Sequence, residues 1–158
     1  MPELPLYRAT IEPDWIDYNG HVRDAYYALV ASYAVDELMD PIGIDAAYRS
    51  RTHCTLYTIE MHAHYLLEVK STDALSVQSS ILGADRKRLH VGCRFAVARL
   101  AAPVASFEFM LIHVRQGEQP ASIPFPPAVT ARIDEFRASP AACEAFGPVS
   151  RKIELQRR

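Results

Sequence analysis

Hydrophobic and polar positions along the chain fall into two regimes. From residue 25 to 40, AYYALVASYAVDELMD, apolar side chains occupy almost every side of a helical wheel: Tyr26, Leu29, Val30 and Tyr33 share one face, while Tyr27, Ala31, Ala34 and Val35 fill others. A helix with so little polar surface has to be wrapped by protein or by lipid, and this one is short of the roughly 20 residues that a bilayer span needs. A helix buried against a sheet is the expectation, ended by Pro41 and Gly43 because proline cannot continue the hydrogen-bond ladder. A shorter helical piece follows at residues 44 to 49.

Period-two patterns then take over. In residues 55 to 69, TLYTIEMHAHYLLEV, the set Tyr57, Ile59, Met61, Ala63 and Tyr65 is mainly apolar, and Thr58, Glu60, His62 and His64 form a polar face; this predicts a half-buried strand. Leu75, Val77 and Ile81 alternate with Ser76, Gln78 and Ser80, and Leu89, Val91, Cys93, Phe95 and Val97 repeat the pattern. Asp85-Arg86-Lys87-Arg88 between them reads as an exposed hairpin turn. A last strand, VASFEFMLIHV, follows the break at Ala101-Ala102-Pro103, and a proline-initiated helix is expected within residues 124 to 139. At the other end, residues 5 to 12 read as a first strand that stops at Pro13, and residues 14 to 24, rich in aspartate with an Asn-Gly pair, as a loop.

The order strand, loop, buried helix, four strands and a terminal helix predicts an α+β fold: a curved, mostly antiparallel sheet wrapped around one long central helix. A chain of 158 residues fits one domain, set at residues 1–139 with its C-terminal helix, followed by a charged tail at 140–158. The net charge of -2 includes no long basic run, which argues against nucleic acid as a partner. Cys54, Cys93 and Cys143 have no CxxC spacing, so no zinc site or disulfide framework follows, and reduced thiols in a cytoplasmic protein are expected. The N-terminus has no apolar stretch behind a positive start, and nowhere do eighteen uninterrupted apolar residues occur; the expectation is an unexported protein with no membrane partner.

The chemistry concentrates in the loop. Trp15-Ile16-Asp17-Tyr18-Asn19-Gly20-His21-Val22 places a carboxylate, an imidazole, an amide and a glycine just before a helix whose free N–H groups carry partial positive charge. An anion formed there would be stabilised. The same residues also suit a second role, in which Asp17, Asn19 and Asp24 cap the helix and shape the turn, and both readings stand on chemistry alone.

The run from Asp17 to Tyr26, Asp-Tyr-Asn-Gly-His-Val-Arg-Asp-Ala-Tyr, resembles the first loop of hotdog thioesterases of the 4-hydroxybenzoyl-CoA type. That loop reads Asp, two variable residues, Gly-His-Val, a short polar pair, then an aromatic in the central helix. The element order over roughly residues 4 to 115 is similar as well. The resemblance implies the hotdog fold, hydrolysis of a small acyl-CoA thioester, and Asp17 as the catalytic carboxylate, acting as nucleophile or general base; His21 is counted with it among the catalytic residues, to orient the loop more than to transfer protons. It also implies a homodimer or homotetramer with sites between subunits. No cofactor or metal is expected, because a thioester is already activated and a thiolate leaves readily. The polar pair is commonly Asn-Asn in the family and here is Arg23-Asp24, so no substrate contact is carried onto those positions. Asn19, Gly20 and Tyr26 are expected beside the substrate. Rival readings are a non-catalytic hotdog protein that binds acyl-CoA, and a hotdog dehydratase.

A narrower resemblance runs through WIDYNGHVRDAYYALV, TLYTIEMHAHYLLEVK and LGADRKRLH, which are similar to betainyl-CoA thioesterases of carnitine breakdown. It implies an acyl group bearing a quaternary ammonium, best held by aromatic faces. Trp15 and Tyr18 are the first candidate walls because they flank Asp17, although tyrosines at helical spacing equally suit a core. Glu60 is a secondary candidate for polarising water or holding a cation. With His62 and His64 it is better explained as a polar face at a subunit contact than as a metal site. Arg86, Lys87 and Arg88 are candidates for the CoA phosphates, set against ordinary solvation of a basic turn. His90 and His113 read as structural.

Overall fold

The computed structural model describes residues 2–146. In chain order it contains β1 (Leu6–Ala9), a single 3-10 turn (Pro13–Trp15), α1 (Asp24–Met39), α2 (Ala46–Thr52), β2 (Cys54–Tyr65), β3 (Leu75–Ala84), β4 (Arg88–Val97), β5 (Ala105–Arg115), β6 (Ala121–Ser122), α3 (Pro127–Phe136) and α4 (Pro140–Phe146). The strands form one antiparallel sheet in the order β1-β3-β4-β5-β2, with β6 paired to β5. Short turns make β3, β4 and β5 neighbours, whereas β2 joins on the far side of β5 and ends the sheet there.

Helix α1 packs on β1, β3 and β4, burying Val30, Ala31, Ala34 and Leu38 against Leu75, Val77, Ile81, Val91 and Phe95. This is the α+β hotdog arrangement that the alternation and the all-round apolar helix predict. One side of α1 stays open within the single chain: Leu29 and Tyr33 are 37% and 43% exposed. No helix among the described residues is long and apolar enough to cross a membrane.

Strand β2 departs from simple alternation. Its register with β5 shifts between Thr58 and Glu60, so Ile59 is a bulge residue, and the bulge reverses which face each later residue takes. Met61, Ala63 and Tyr65 pair with Phe109, Phe107 and Ala105 on the helix side, while Tyr57 joins Glu60, His62 and His64 on the outer face. The face predicted for Tyr57 and Ile59 together with Met61 is therefore split. The strand also ends at Tyr65 instead of running on to Val69. Beyond Ser139, where no element is predicted, Pro140–Phe146 forms α4; the rest of the expected tail, 147–158, lies outside the described residues.

His113 is fully buried on the helix-facing side of β5. Its Nδ1 lies 3.1 Å from the Ile123 carbonyl and its Nε2 lies 2.9 Å from the Tyr48 hydroxyl. A carbonyl can only accept, so Nδ1 carries the hydrogen, and the neutral ring accepts from Tyr48 at Nε2. Burial lowers the His113 pKa, which keeps the ring neutral. The structural role expected for this histidine is what the contacts describe. His113→Leu is expected to lower stability by roughly 1–3 kcal/mol, because the Tyr48 hydroxyl loses its acceptor; urea unfolding should show a lower midpoint at unchanged slope.

Candidate active site

The loop between β1 and α1 folds back on itself at Asp17. Its backbone N–H donates to the His21 carbonyl at 2.8 Å, and Gly20 N–H donates to the Asp17 carbonyl at 3.0 Å. Gly20 has φ +80°, a left-handed conformation that a side chain would strain. Asp17 Oδ1 accepts from the backbone N–H groups of Asn19 and His21 at 2.8 and 3.2 Å. The turn-shaping role is thus present, and the Asn19 side chain also bonds the carboxyl.

The bond from His21 N–H, seconded by that from Asn19, holds the Asp17 carboxyl below the usual aspartate value. A depressed carboxylate stays ionised as pH falls through its ordinary pKa and is neutralised only lower. On this account the acid limb of any Asp17-dependent rate should lie below about pH 4. A pH–rate profile falling with a midpoint at about pH 5–6 would assign the limb to another group. The stability these turn bonds contribute has the same sign: present above the unfolded carboxyl's pKa, and lost as pH drops through the folded one.

The turn is laced to residues 68–70. Val22 N–H donates to the Val69 carbonyl at 2.8 Å, and His21 bridges Lys70. That segment is fixed from behind by Arg99, which grips the buried Asp73 carboxylate with two bonds of 2.8 and 2.9 Å and the Glu68 carbonyl with a third of 2.8 Å. His21 Nε2 lies 3.1 Å from Glu68 Oε2; a carboxylate only accepts, so this nitrogen carries a hydrogen. Asp73, Arg99 and Glu68 stand outside the loop motif, and an ion pair between residues 26 apart leaves no local signal.

A cavity of about 320 Å³ opens beside the turn, lined by His21, Asp24, Tyr27, Tyr65, Leu67 and Glu68 among others. It sits at the start of α1. The N-cap residue there, Arg23, supplies no side-chain bond. Ala25 N–H is taken by Asp24 Oδ1 at 2.9 Å, and among the described residues the Asp24 N–H has no acceptor. One donor therefore remains at the positive end of the helix.

The structure brings only some of the predicted site residues together. Asp17, Asn19, Gly20 and His21 form the turn. Trp15 and Tyr26 stack on each other with ring centroids 5.2 Å apart and planes 12° from parallel, packed against the core and outside the cavity wall. Tyr18 is 93% exposed and also outside it. Glu60 lies on the outer sheet face, 3.2 Å from His62, in a small cleft shared with His90 and Glu108. Arg88 pairs with Asp85 at 2.6 Å, and Lys87 Nζ donates to Ser122 Oγ at 2.9 Å. The Arg86-Lys87-Arg88 turn stands at the Ala84 end of β3, whereas the Asp17 turn meets the segment leading into its Leu75 end. The strand has 10 residues, which at about 3.3 Å each separates the two turns by roughly 30 Å.

The chain matches the Thioesterase-like superfamily over residues 11–133 and belongs to that family. It is a thioester hydrolase built on the hotdog fold. The betainyl-CoA thioesterase of Pseudomonas aeruginosa is 40% identical over 152 residues, covering 96% of this chain and 95% of the relative. The L-carnitine dehydrogenase/betainyl-CoA thioesterase of Agrobacterium fabrum is 36% identical over 135 residues, covering 85% of this chain and 27% of that longer protein. A crystal structure from Pseudomonas putida KT2440, of a protein assigned as a thioesterase, superposes with a TM-score of 0.79 at 40% identity, covering 99% of each chain.

Proposed function

We propose that the chain hydrolyses betainyl-CoA to the free acid and CoA, that it works as a homodimer in the cytoplasm, and that Asp17 is its catalytic carboxylate. The observation that carries the chemistry is an Asp17 carboxylate kept ionised by its turn, whose His21 lines a cavity at the start of α1. Oδ2 either attacks the thioester carbonyl carbon or takes the proton of a water that does so. The carbonyl oxygen becomes an oxyanion, which the Asp24 N–H and the helix N-terminus stabilise. Collapse of this intermediate breaks the C–S bond and releases the CoA thiolate. If Asp17 is the nucleophile, water then hydrolyses the resulting anhydride. His21, fixed between Lys70 and Glu68, orients the turn. A match of 40% identity to a betainyl-CoA thioesterase, covering 96% of the chain, supports the substrate. The three unpaired cysteines suit a reducing compartment.

Strand β2 supports the dimer. Among the described residues its outer edge is unpaired, and Ile59, Met61, Leu66 and Leu67 on or beside it are 55%, 43%, 55% and 44% exposed. Such an edge seeks another strand. Antiparallel pairing of two β2 edges about a two-fold axis reverses the partner sheet. The basic turn of the partner subunit then lies at the same end as Asp17, where the CoA phosphates need a cation.

The rival reading, a protein that binds acyl-CoA without cleaving it, rests on the turn role of Asp17 Oδ1. The two are separated by following thiol release from betainyl-CoA, 4-hydroxybenzoyl-CoA and short-chain acyl-CoAs. Betainyl-CoA should give the highest kcat/KM. Turnover led by another ester would overturn the substrate, and saturable binding without turnover would favour the rival.

A further inference from the structure

Building on the betainyl reading, we propose that the trimethylammonium of the substrate is held in the cavity beside His21 by the face of Tyr65 and the carboxylates of Glu68 and Asp24. These residues then set specificity, in place of Trp15 and Tyr18.

The cavity's charge selects what enters it. Glu68 and Asp24 contribute two carboxylates against one imidazole, His21. The polyphosphate end of CoA would be repelled, so the cavity takes the acyl end, and among acyl groups it favours a cation. A quaternary ammonium has no N–H and forms no ordinary hydrogen bond. It is held by aromatic faces and by a diffuse negative field.

Tyr65 offers such a face. It is braced edge-on by Tyr27 at 5.4 Å and 90° and by Phe107 at 5.8 Å and 89°, and its hydroxyl donates to the Asp24 carbonyl at 3.2 Å. Even so it remains 51% exposed. The ring is held by two perpendicular neighbours and still reaches the surface of the single chain. The Glu68 backbone is pinned by Arg99, and Asp24 spends Oδ1 on Ala25 N–H, which leaves Oδ2 with no partner among the described residues.

The short acyl group bears on this placement. In a betainyl group the nitrogen stands roughly 2.5 Å from the carbonyl carbon, as in any N–C–C unit of ordinary bond lengths. The ammonium subsite must therefore adjoin the attacking group. His21, on the cavity wall, donates its backbone N–H to Asp17 Oδ1. Trp15 has one face covered by Tyr26 and Tyr18 projects into solvent, so neither supplies a comparable wall within the chain.

The test reads, within each protein, the ratio of kcat/KM for betainyl-CoA to that for 3,3-dimethylbutyryl-CoA, the neutral near-isostere. A general loss of activity cancels in this ratio. The parent should favour the cation. Tyr65→Leu should lower the ratio roughly tenfold or more, and Glu68→Gln several-fold, whereas Tyr65→Phe, which keeps the face, should hold it within about twofold. A parental ratio near one overturns the subsite together with the betainyl reading. A high parental ratio that is unchanged in Tyr65→Leu and Glu68→Gln leaves the betainyl reading standing and overturns the subsite. If Tyr65→Leu does not fold, the exposed Glu68→Gln decides alone.

Discussion

Asp17→Asn is expected to lower kcat by a factor on the order of 10³ or more while the protein stays folded, because an amide reproduces the turn but supplies neither a nucleophile nor a base. The structure makes this substitution unusually clean. The oxygen that shapes the turn, Oδ1, accepts the backbone N–H groups of Asn19 and His21, and an asparagine carbonyl can accept the same two. The oxygen assigned to chemistry is the other one. Thermal unfolding should therefore move by only a few degrees while thiol release collapses. Activity within a few-fold of the parent would remove Asp17 from the mechanism and leave the turn as its whole role.

The second large effect concerns β2. The substitutions Ile59→Lys and Met61→Lys, made together, place two cations on the unpaired edge, a device that natural sheets use to block edge-to-edge pairing. Both positions are already half exposed in the single chain, so the cost to the fold should be small. The expected result is a shift from dimer to monomer in sedimentation at micromolar concentration. A loss of activity of about 10² or more should accompany it, since in the proposed dimer the basic turn that serves Asp17 comes from the partner. An active monomer would contradict the shared site. A dimer untouched by both lysines would move the contact to another surface, such as the open side of α1 at Leu29 and Tyr33.

Much of this architecture is legible in the residue pattern, for a physical reason. Alternation at Leu75, Val77 and Ile81 or at Leu89, Val91 and Phe95 reports burial of one sheet face, and each of these residues is fully or almost fully buried. The apolar α1 likewise reports a helix enclosed by that sheet. What alternation does not encode is a bulge. The sequence around Ile59 reads as an unbroken period, and the shift there comes from fitting β2 against β5, so the face of Tyr57 is lost to local reasoning. The site divides in the same way. The turn from Asp17 to His21 is a contiguous motif and can be read from the chain. The cavity wall gathers Asp24, Tyr65 and Glu68, which share no spacing rule, and the Asp73–Arg99 clamp that fixes it joins distant segments. The Trp15–Tyr26 stack has no local signal either, because the two rings come from opposite sides of the turn and meet only in the fold.

The central claim is that this chain turns thioesters over and does not merely hold them. It is tested most directly by following free thiol from betainyl-CoA with the purified full-length chain at a concentration far below that of the ester. The account predicts continued release over many turnovers per active site, abolished in Asp17→Asn. Saturable binding of the ester with no thiol beyond the uncatalysed rate would contradict it.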